Sequence, residues 1–396
     1  MSTSKSDIVF GALDRFRIEI PSWGFANTGT RFGKYLQADA ATTTEEKFSD
    51  AGEVHSLTGV CPTIALHVLW DFQEGIRSVA QIQGLSKRFG VLPGSINPNL
   101  FQDQEYKHGS FGNPDSAVRA RAFQHTKESI EIARLLHSRD ISMWFADGSS
   151  YPGTANIRQR KAWFEDGLKR THECLSPEQR LLVEYKPFEP AVYHTDIADW
   201  GMALHLARCA GPQARVLVDT GHHYQSQNIE QIVAWLLSEQ MLGGFHFNDR
   251  RYADDDLTIG SIDPYQVFRI FHEILFYEWE TNRKPDIAYM IDQSHNLKGK
   301  IEEMIQTVTV AQQLFAKAAL VDHTALAQSQ TKCDLVGAES LLQDAFNTDV
   351  RPIVQQWRSS KGLPLDPLKA FLDSGYMERI TKERSARSLN GVSSYA

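Results

Sequence analysis

The sequence lacks the features that most quickly betray a function. Its four cysteines, Cys61, Cys174, Cys209 and Cys333, are scattered without CxxC spacing, so neither a zinc knuckle nor a disulfide framework is indicated. No stretch approaches the roughly 18 continuous apolar residues that a membrane span needs. The start, "MSTSKSDIVF", has neither the apolar core nor the cleavage pattern of a secretory signal, and a cytoplasmic protein is expected. Positive charge is also short. Lys and Arg number 41 against 49 Asp and Glu, a net charge of -8, which leaves no electrostatic footprint for nucleic acid or an anionic membrane. Neither is expected as a partner. Internal repeats and low-complexity segments are missing too. What remains is ordinary for a soluble globular chain, with 42% hydrophobic and 23% charged residues among 396. That length suits one large domain plus an extension.

Apolar runs of strand length recur along the chain. "FRIEIPSWG" sets Phe16, Ile18 and Ile20 at period two, and "TIALHVLW", "GVLPGSINPN", "ISMWFADG", "LLVEYK", "VLVDTGHH", "GGFHFND" and "IAYMIDQSHN" follow. Amphipathic segments lie between them. Ile229, Ile232, Val233, Leu236 and Leu237 share one helical face, as do Ile301, Met304, Ile305, Val308 and Ala311. Strand and helix alternating about eight times predicts an α/β fold, a (β/α)8 TIM barrel. A doubly wound sheet gives a similar string, but no Gly-rich phosphate turn follows the first run. Beyond about residue 317 the chain turns polar and helical, with proline breaks. Residues 1–320 are therefore expected to form a catalytic, metal-binding barrel. Residues 321–396 are expected to form a C-terminal helical extension that wraps its own barrel or a neighbouring subunit, with subunit association the preferred role.

The polar residues sharpen this expectation. Most runs place their apolar residues first and a reactive side chain last: His67, Asn97, Trp144, Glu184 with Lys186, Asp219 with His222, His246, and Asp292. Barrel enzymes keep their active sites at that end of the strands, so these side chains should converge. Glu184, Asp219, His246 and Asp292 make an oxygen-rich ligand set suited to Mn²⁺, Mg²⁺ or Co²⁺. A second set is at hand in His222 and in the D-x-D pair Asp254 and Asp256, with Asp219 shared. Two divalent ions per subunit are expected, Mn²⁺ first, with Co²⁺ or Mg²⁺ as alternatives. Taken singly, each feature has a plainer reading: a solvated acidic turn for "DDD", an ion pair for Glu184 and Lys186, a helix cap for Asp292. The ions explain them together and relieve the repulsion among the aspartates of "HFNDRRYADDDL".

With "VDTGHH", "GGFHFNDRRYADDDL" and "MIDQSHN" taken together, the chain resembles the broad-specificity bacterial L-rhamnose isomerases, metal-dependent barrels similar in plan to xylose isomerase. "IPSWGFANTGTRF", "LHVLWD", "MWFADGSSYPG" and "VEYKPFEPAVY" resemble that family's strand-end segments in the same order. The resemblance implies a structural ion on Glu184, Asp219, His246 and Asp292, and a mobile catalytic ion on Asp219, His222, Asp254 and Asp256. It further implies that Lys186 hydrogen-bonds substrate near its carbonyl carbon and that His67 stands at the sugar ring oxygen. Trp70, Phe101 and Trp144 would wall the sugar pocket, and Phe32 would reach into a neighbouring subunit's pocket. The implied reaction is aldose–ketose isomerisation, L-rhamnose to L-rhamnulose, by a metal-assisted 1,2-hydrogen shift in a homotetramer. Two competing readings are a sugar 3-epimerase and a metal-dependent hydrolase or nuclease on a similar barrel. A third is a sugar-binding protein without catalysis.

Overall fold

The structure, a computed structural model, describes residues 4–27, 29, 30, 33–189, 192–252 and 256–390. Eight strands follow one another around a single sheet: β1 (Ile20–Pro21), β2 (Thr63–His67), β3 (Leu92–Asn97), β4 (Asp140–Met143), β5 (Arg180–Glu184), β6 (Ala214–Asp219), β7 (Leu242–Phe247) and β8 (Ala288–Ile291). Every neighbouring pair is parallel. The ring is closed by Glu19, whose N–H donates to the Tyr289 carbonyl at 2.8 Å and whose carbonyl accepts from Ile291 at 2.9 Å. Helices run between the strands, so the expected (β/α)8 barrel is the fold.

The first strand is shorter than its alternation predicts. Helix Lys5–Arg15 ends with Phe16 as its cap, and Pro21 has no N–H to give a ladder. Phe16, Ile18 and Ile20 are buried all the same. Elsewhere the two-residue period of a strand decides which side chains face in. Leu181 and Val183, Val216 and Val218, and Phe245 and Phe247 join the main core, the one that includes the helices' apolar faces. Leu182, Leu217 and Met290 instead pack together in a separate small cluster, an interior layer of the barrel. Stepping two residues onward from that layer reaches Glu184, Asp219 and Asp292, and stepping two from Gly244 reaches His246. The four polar ends therefore share one parity with the inner layer.

The helices carry the apolar stripes read from sequence: Ile229, Ile232, Val233, Leu236 and Leu237 are all buried in helix Ile229–Ser238. Ile301, Met304, Ile305, Val308 and Ala311 are likewise buried in helix Lys300–Ala319. Side-chain caps start most of them, among them Thr43, Asp115, Asn156, Asp199, Asn228 and Asp263. After Ala319 five helices follow, from His323 to Ser388, and they fold back on their own chain. Trp357 Nε1 donates to Asp14 at 2.8 Å. The buried Arg384 guanidinium grips the Asp50 carboxylate at 2.7 and 2.8 Å, where Tyr376 Oη also donates at 2.9 Å. Among the described residues no helix is long and apolar enough to cross a membrane.

Candidate metal centre

Glu184, Asp219, His246 and Asp292 stand at the C-terminal ends of β5, β6, β7 and β8, with ligand atoms that all lie within 4.8 Å of one another. His246 Nδ1 is 3.2 Å from Glu184 Oε1 and 3.6 Å from Asp292 Oδ2. His222 joins their edge, with Nδ1 3.3 Å from Glu184 Oε1 and Nε2 3.8 Å from Asp219 Oδ2. An ion bound by oxygen at roughly 2.0–2.6 Å spans ligand pairs up to about 5 Å apart, so the spacing fits one divalent cation. The donor chemistry fits as well, being three carboxylates and one imidazole.

Electrostatics argue the same way. Burial pushes the Asp219 carboxyl up to about 7, with Glu184 and Asp292 adding to the push and His222 opposing it. Asp292 is raised by burial and by Glu184. Burial alone would lower His246, yet Glu184, Asp292 and Asp219 around it raise the imidazole to about 9. Glu184 is held low against its own burial by His246, His222 and Lys186. Both His246 and Asp219 thus favour their protonated forms in this surrounding of carboxylates. Metal binding would displace those protons.

Beside this cluster lies a cavity of about 170 Å³ lined by Trp23, His67, Trp70, Phe101, Trp144, Lys186 and Asp256, and by the metal candidates Glu184, His222, His246 and Asp292. One wall is aromatic. The His67 and Trp70 rings stack with centroids 3.7 Å apart, and Phe101 meets Trp144 edge-on at 4.7 Å. Burial lowers His67 well below an ordinary histidine, which keeps the ring neutral at pH 7. The other wall carries the Lys186 ammonium, paired with Glu189 and 5.3 Å from the Trp144 ring. A flat apolar surface facing a charged, polar one suits a small polyhydroxylated molecule.

A further shell holds these groups in place. The Asp71 carboxylate accepts from the His67 backbone N–H at 2.8 Å, from Ser22 Oγ at 2.6 Å and from the buried Lys47 ammonium at 2.7 Å. That fixes the turn on which His67 and Trp70 sit. Asn248 Nδ2 donates to Asp219 Oδ1 at 3.0 Å and to the Asp292 carbonyl at 3.0 Å, tying β6 to β8. Gly221 makes room for it, since a Cβ there would collide with the Asn248 side chain. Asp249, outside the ligand set read from sequence, is buried and accepts from the Ile262 and Asp263 N–H groups at 2.8 and 3.0 Å. It anchors the acidic loop at its base. Arg250 donates to the His223 and Tyr224 carbonyls at 2.7 and 3.2 Å, pinning the "GHHY" turn.

The sequence-derived residues fall into three groups. Glu184, Asp219, His246 and Asp292 are brought together as one cluster. His67, Trp70, Phe101, Trp144, Lys186, His222 and Asp256 line the adjoining cavity. Phe32, Asp254 and Asp255 lie outside the described residues. Asp256 has a left-handed backbone, φ 46°, a conformation that aspartate tolerates better than most residues. Trp23 was passed over. Its Nε1 donates to Asp292 Oδ1 at 2.8 Å, and it stands in the 3₁₀ turn Ser22–Phe25 just after β1. The "PSWG" break there was the available signal. Asn248 and Asp71 gave less warning, because each sits beside a more conspicuous residue.

Comparison with known proteins places the fold in a family. Residues 67–299 match the family model described as "Xylose isomerase-like TIM barrel". A probable sugar isomerase of Mesorhizobium japonicum is 36% identical over 385 residues, covering 96% of this chain and 89% of that protein. A second, from Rhizobium meliloti, shows the same identity and coverage. The crystal structure of 3-keto-D-glucoside 4-epimerase YcjR from E. coli superimposes with a TM-score of 0.51 at 12% identity, over 74% of this chain and all (100%) of that one. At that identity the likeness is one of fold. With its eight parallel strands, the matched segment and near-full-length relatives, this chain belongs to the xylose isomerase-like TIM barrel family.

Proposed function

We propose that the protein is a metal-dependent aldose–ketose isomerase that interconverts L-rhamnose and L-rhamnulose and accepts related aldoses. The observation that carries the reading is the buried four-ligand cluster opening onto a cavity with one aromatic and one cationic wall. The names of the two relatives, probable sugar isomerases, support it. Glu184, Asp219, His246 and Asp292 would hold a divalent ion, Mn²⁺ first. His222 and Asp256, with Asp254, would serve a second. When bound, such ions supply Lewis acidity at the substrate's carbonyl and neighbouring oxygen.

The chain's own groups do the rest. Trp70, Phe101 and Trp144 offer apolar surface to the C–H face of the sugar and exclude water. Lys186 donates to the oxygen on the carbonyl carbon, where its charge stabilises developing negative charge. Neutral His67 retains an acceptor nitrogen and can take the anomeric hydroxyl proton as the ring opens. Trp23 keeps Asp292 oriented through its indole N–H. Phe32 would complete a neighbouring subunit's pocket in the homotetramer expected from the rhamnose isomerase resemblance, which sedimentation can measure.

A 3-epimerase is the second reading, favoured by one observation: among the described residues the one cluster at the strand ends is a four-ligand set for a single ion. One experiment separates the two. A panel of aldoses and ketoses is incubated with chelated protein resupplied with Mn²⁺, Co²⁺ or Mg²⁺, and products are resolved by chromatography. Isomerisation gives ketoses from aldoses. Epimerisation gives a second ketose from the first and leaves aldoses untouched.

A further inference from the structure

A different constellation occupies the outside of the barrel. Helix Ile157–His172 and helix Trp200–Ala210 flank β5 in the chain and lie side by side. Glu165 projects from the first. His205 and Cys209 project from the second, four residues apart and hence on one face. His205 Nε2 is 2.7 Å from Glu165 Oε1 and 3.6 Å from Cys209 Sγ, and the sulfur is 3.7 Å from the same Glu165 oxygen. All three are at least partly exposed, so an ion can reach them from solvent.

Those separations have a chemical reading. Zinc binds sulfur at about 2.3 Å and imidazole nitrogen or carboxylate oxygen at about 2.0–2.2 Å, in tetrahedral geometry. Tetrahedral angles then place sulfur and nitrogen about 3.5 Å apart, and nitrogen and oxygen about 3.4 Å apart. The sulfur–nitrogen and sulfur–oxygen distances stand near those values already, and the His205–Glu165 contact needs to open by about 0.7 Å. Lys161 also pairs with Glu165 Oε1, and it can keep the other carboxylate oxygen. We propose that Glu165, His205 and Cys209 form a surface site for a thiophilic divalent cation of the Zn²⁺ class, with water in the fourth position.

Binding would replace the thiol S–H bond with a metal–sulfur bond and release that proton to the buffer. Burial and the Glu165 carboxylate raise the Cys209 thiol above its ordinary value, so the sulfur carries its proton until a cation arrives. The two metal centres differ in softness. The strand-end cluster offers carboxylate oxygen and imidazole with no sulfur, whereas this one includes a thiolate, and softer ions sort toward it. A cation there clips two neighbouring outer helices together and touches nothing in the barrel mouth.

Cobalt tests this directly. Chelator-stripped, full-length protein is titrated with Co²⁺ while the thiolate-to-cobalt charge-transfer absorption is followed. Ions at the strand-end cluster are silent in that band, having no sulfur ligand. The expected result is a band whose full amplitude corresponds to one cobalt–thiolate centre per chain once the silent strand-end centre has taken its own share of Co²⁺. It disappears in Cys209→Ser and needs at least about tenfold more Co²⁺ in His205→Ala. Zn²⁺ should raise the melting temperature of the wild type more than that of Cys209→Ser. Near-ultraviolet circular dichroism confirms that both variants are folded. No band in the wild type, or an equal band in Cys209→Ser, overturns the proposal.

Discussion

At the N-terminal end of the barrel the buried carboxylates of Glu19 and Asp140 are answered from within the chain. At the C-terminal end the carboxylates of Glu184, Asp219 and the partly exposed Asp292 meet neutral N–H donors, Asn248 and Trp23 among them. The cation-forming groups beside them, among the described residues, are His222, His246 and a Lys186 already paired with Glu189. Below, Arg180 Nε reaches Asp140 Oδ1 at 2.7 Å and Arg139 adds a second contact at 3.0 Å. Glu19 accepts from the Ser95 N–H at 2.9 Å and Oγ at 2.6 Å, bonds that oppose the upward push of burial on its carboxyl. Gly94 admits it, because a Cβ there would overlap the carboxylate. Above, burial lifts Asp219 to about 7, and the carboxylates around His246 lift its imidazole to about 9 against its own burial. One end of the barrel is finished by folding. The other presents a ligand set that a cation would complete.

The comparison breaks most visibly at Asp219. Asp219→Asn should lower turnover by about 10³-fold or more, because it removes the carboxylate that both ion sites would share; steady-state assays at saturating metal check it. Next is pH. His246 binds a proton below about 9 and a divalent ion must displace it, so ion affinity should rise about tenfold per unit between about 7 and about 9. Below about 7 the Asp219 proton makes the slope steeper. Calorimetric titration across that window reads both, and a flat profile contradicts the assignment. Asn248→Ala, which leaves the ligands and removes their tether, should weaken ion binding about 10–100-fold. At the opposite end Asp140→Ala should cost about 1–2 kcal/mol of stability in denaturant unfolding, since it removes a partner of the largely buried Arg180 while both Arg180 and the more exposed Arg139 keep Asp286. It should leave ion affinity unchanged.

The two ends also differ in how far the sequence revealed them. The acidic end was legible because strand parity is strict. Once Leu182 or Leu217 faces inward, Glu184 and Asp219 follow two residues later, and nothing in tertiary packing can move them to the other face. His67, Trp144 and Lys186 were placed by their strand ends, Trp70 and Phe101 by resemblance, and the cavity gathers them. Trp23, Asn248 and Asp71 were not foreseen, because their roles depend on contacts between loops that no local period encodes. Trp23 meets Asp292 across 269 positions of chain. The N-terminal end left no trace either: Glu19 within "FRIEIP" falls between the period-two residues Ile18 and Ile20, and nothing local foretells that Ser95 from a distant strand holds its carboxylate where Gly94 leaves room. The tail was legible as helix, while its return to the barrel, through the Asp14 and Asp50 pairs and through Val354, Trp357, Phe371 and Ile380 buried in the main core, is set by contacts far apart in the chain.

The central claim is that the strand-end cluster is completed by a divalent ion and then isomerises an aldose. Turnover of L-rhamnose by chelator-treated protein, measured before and after Mn²⁺ is restored, tests it most directly. The account predicts no ketose before, ketose after, and none at either stage with Asp219→Asn. Full activity in the metal-free protein would contradict it.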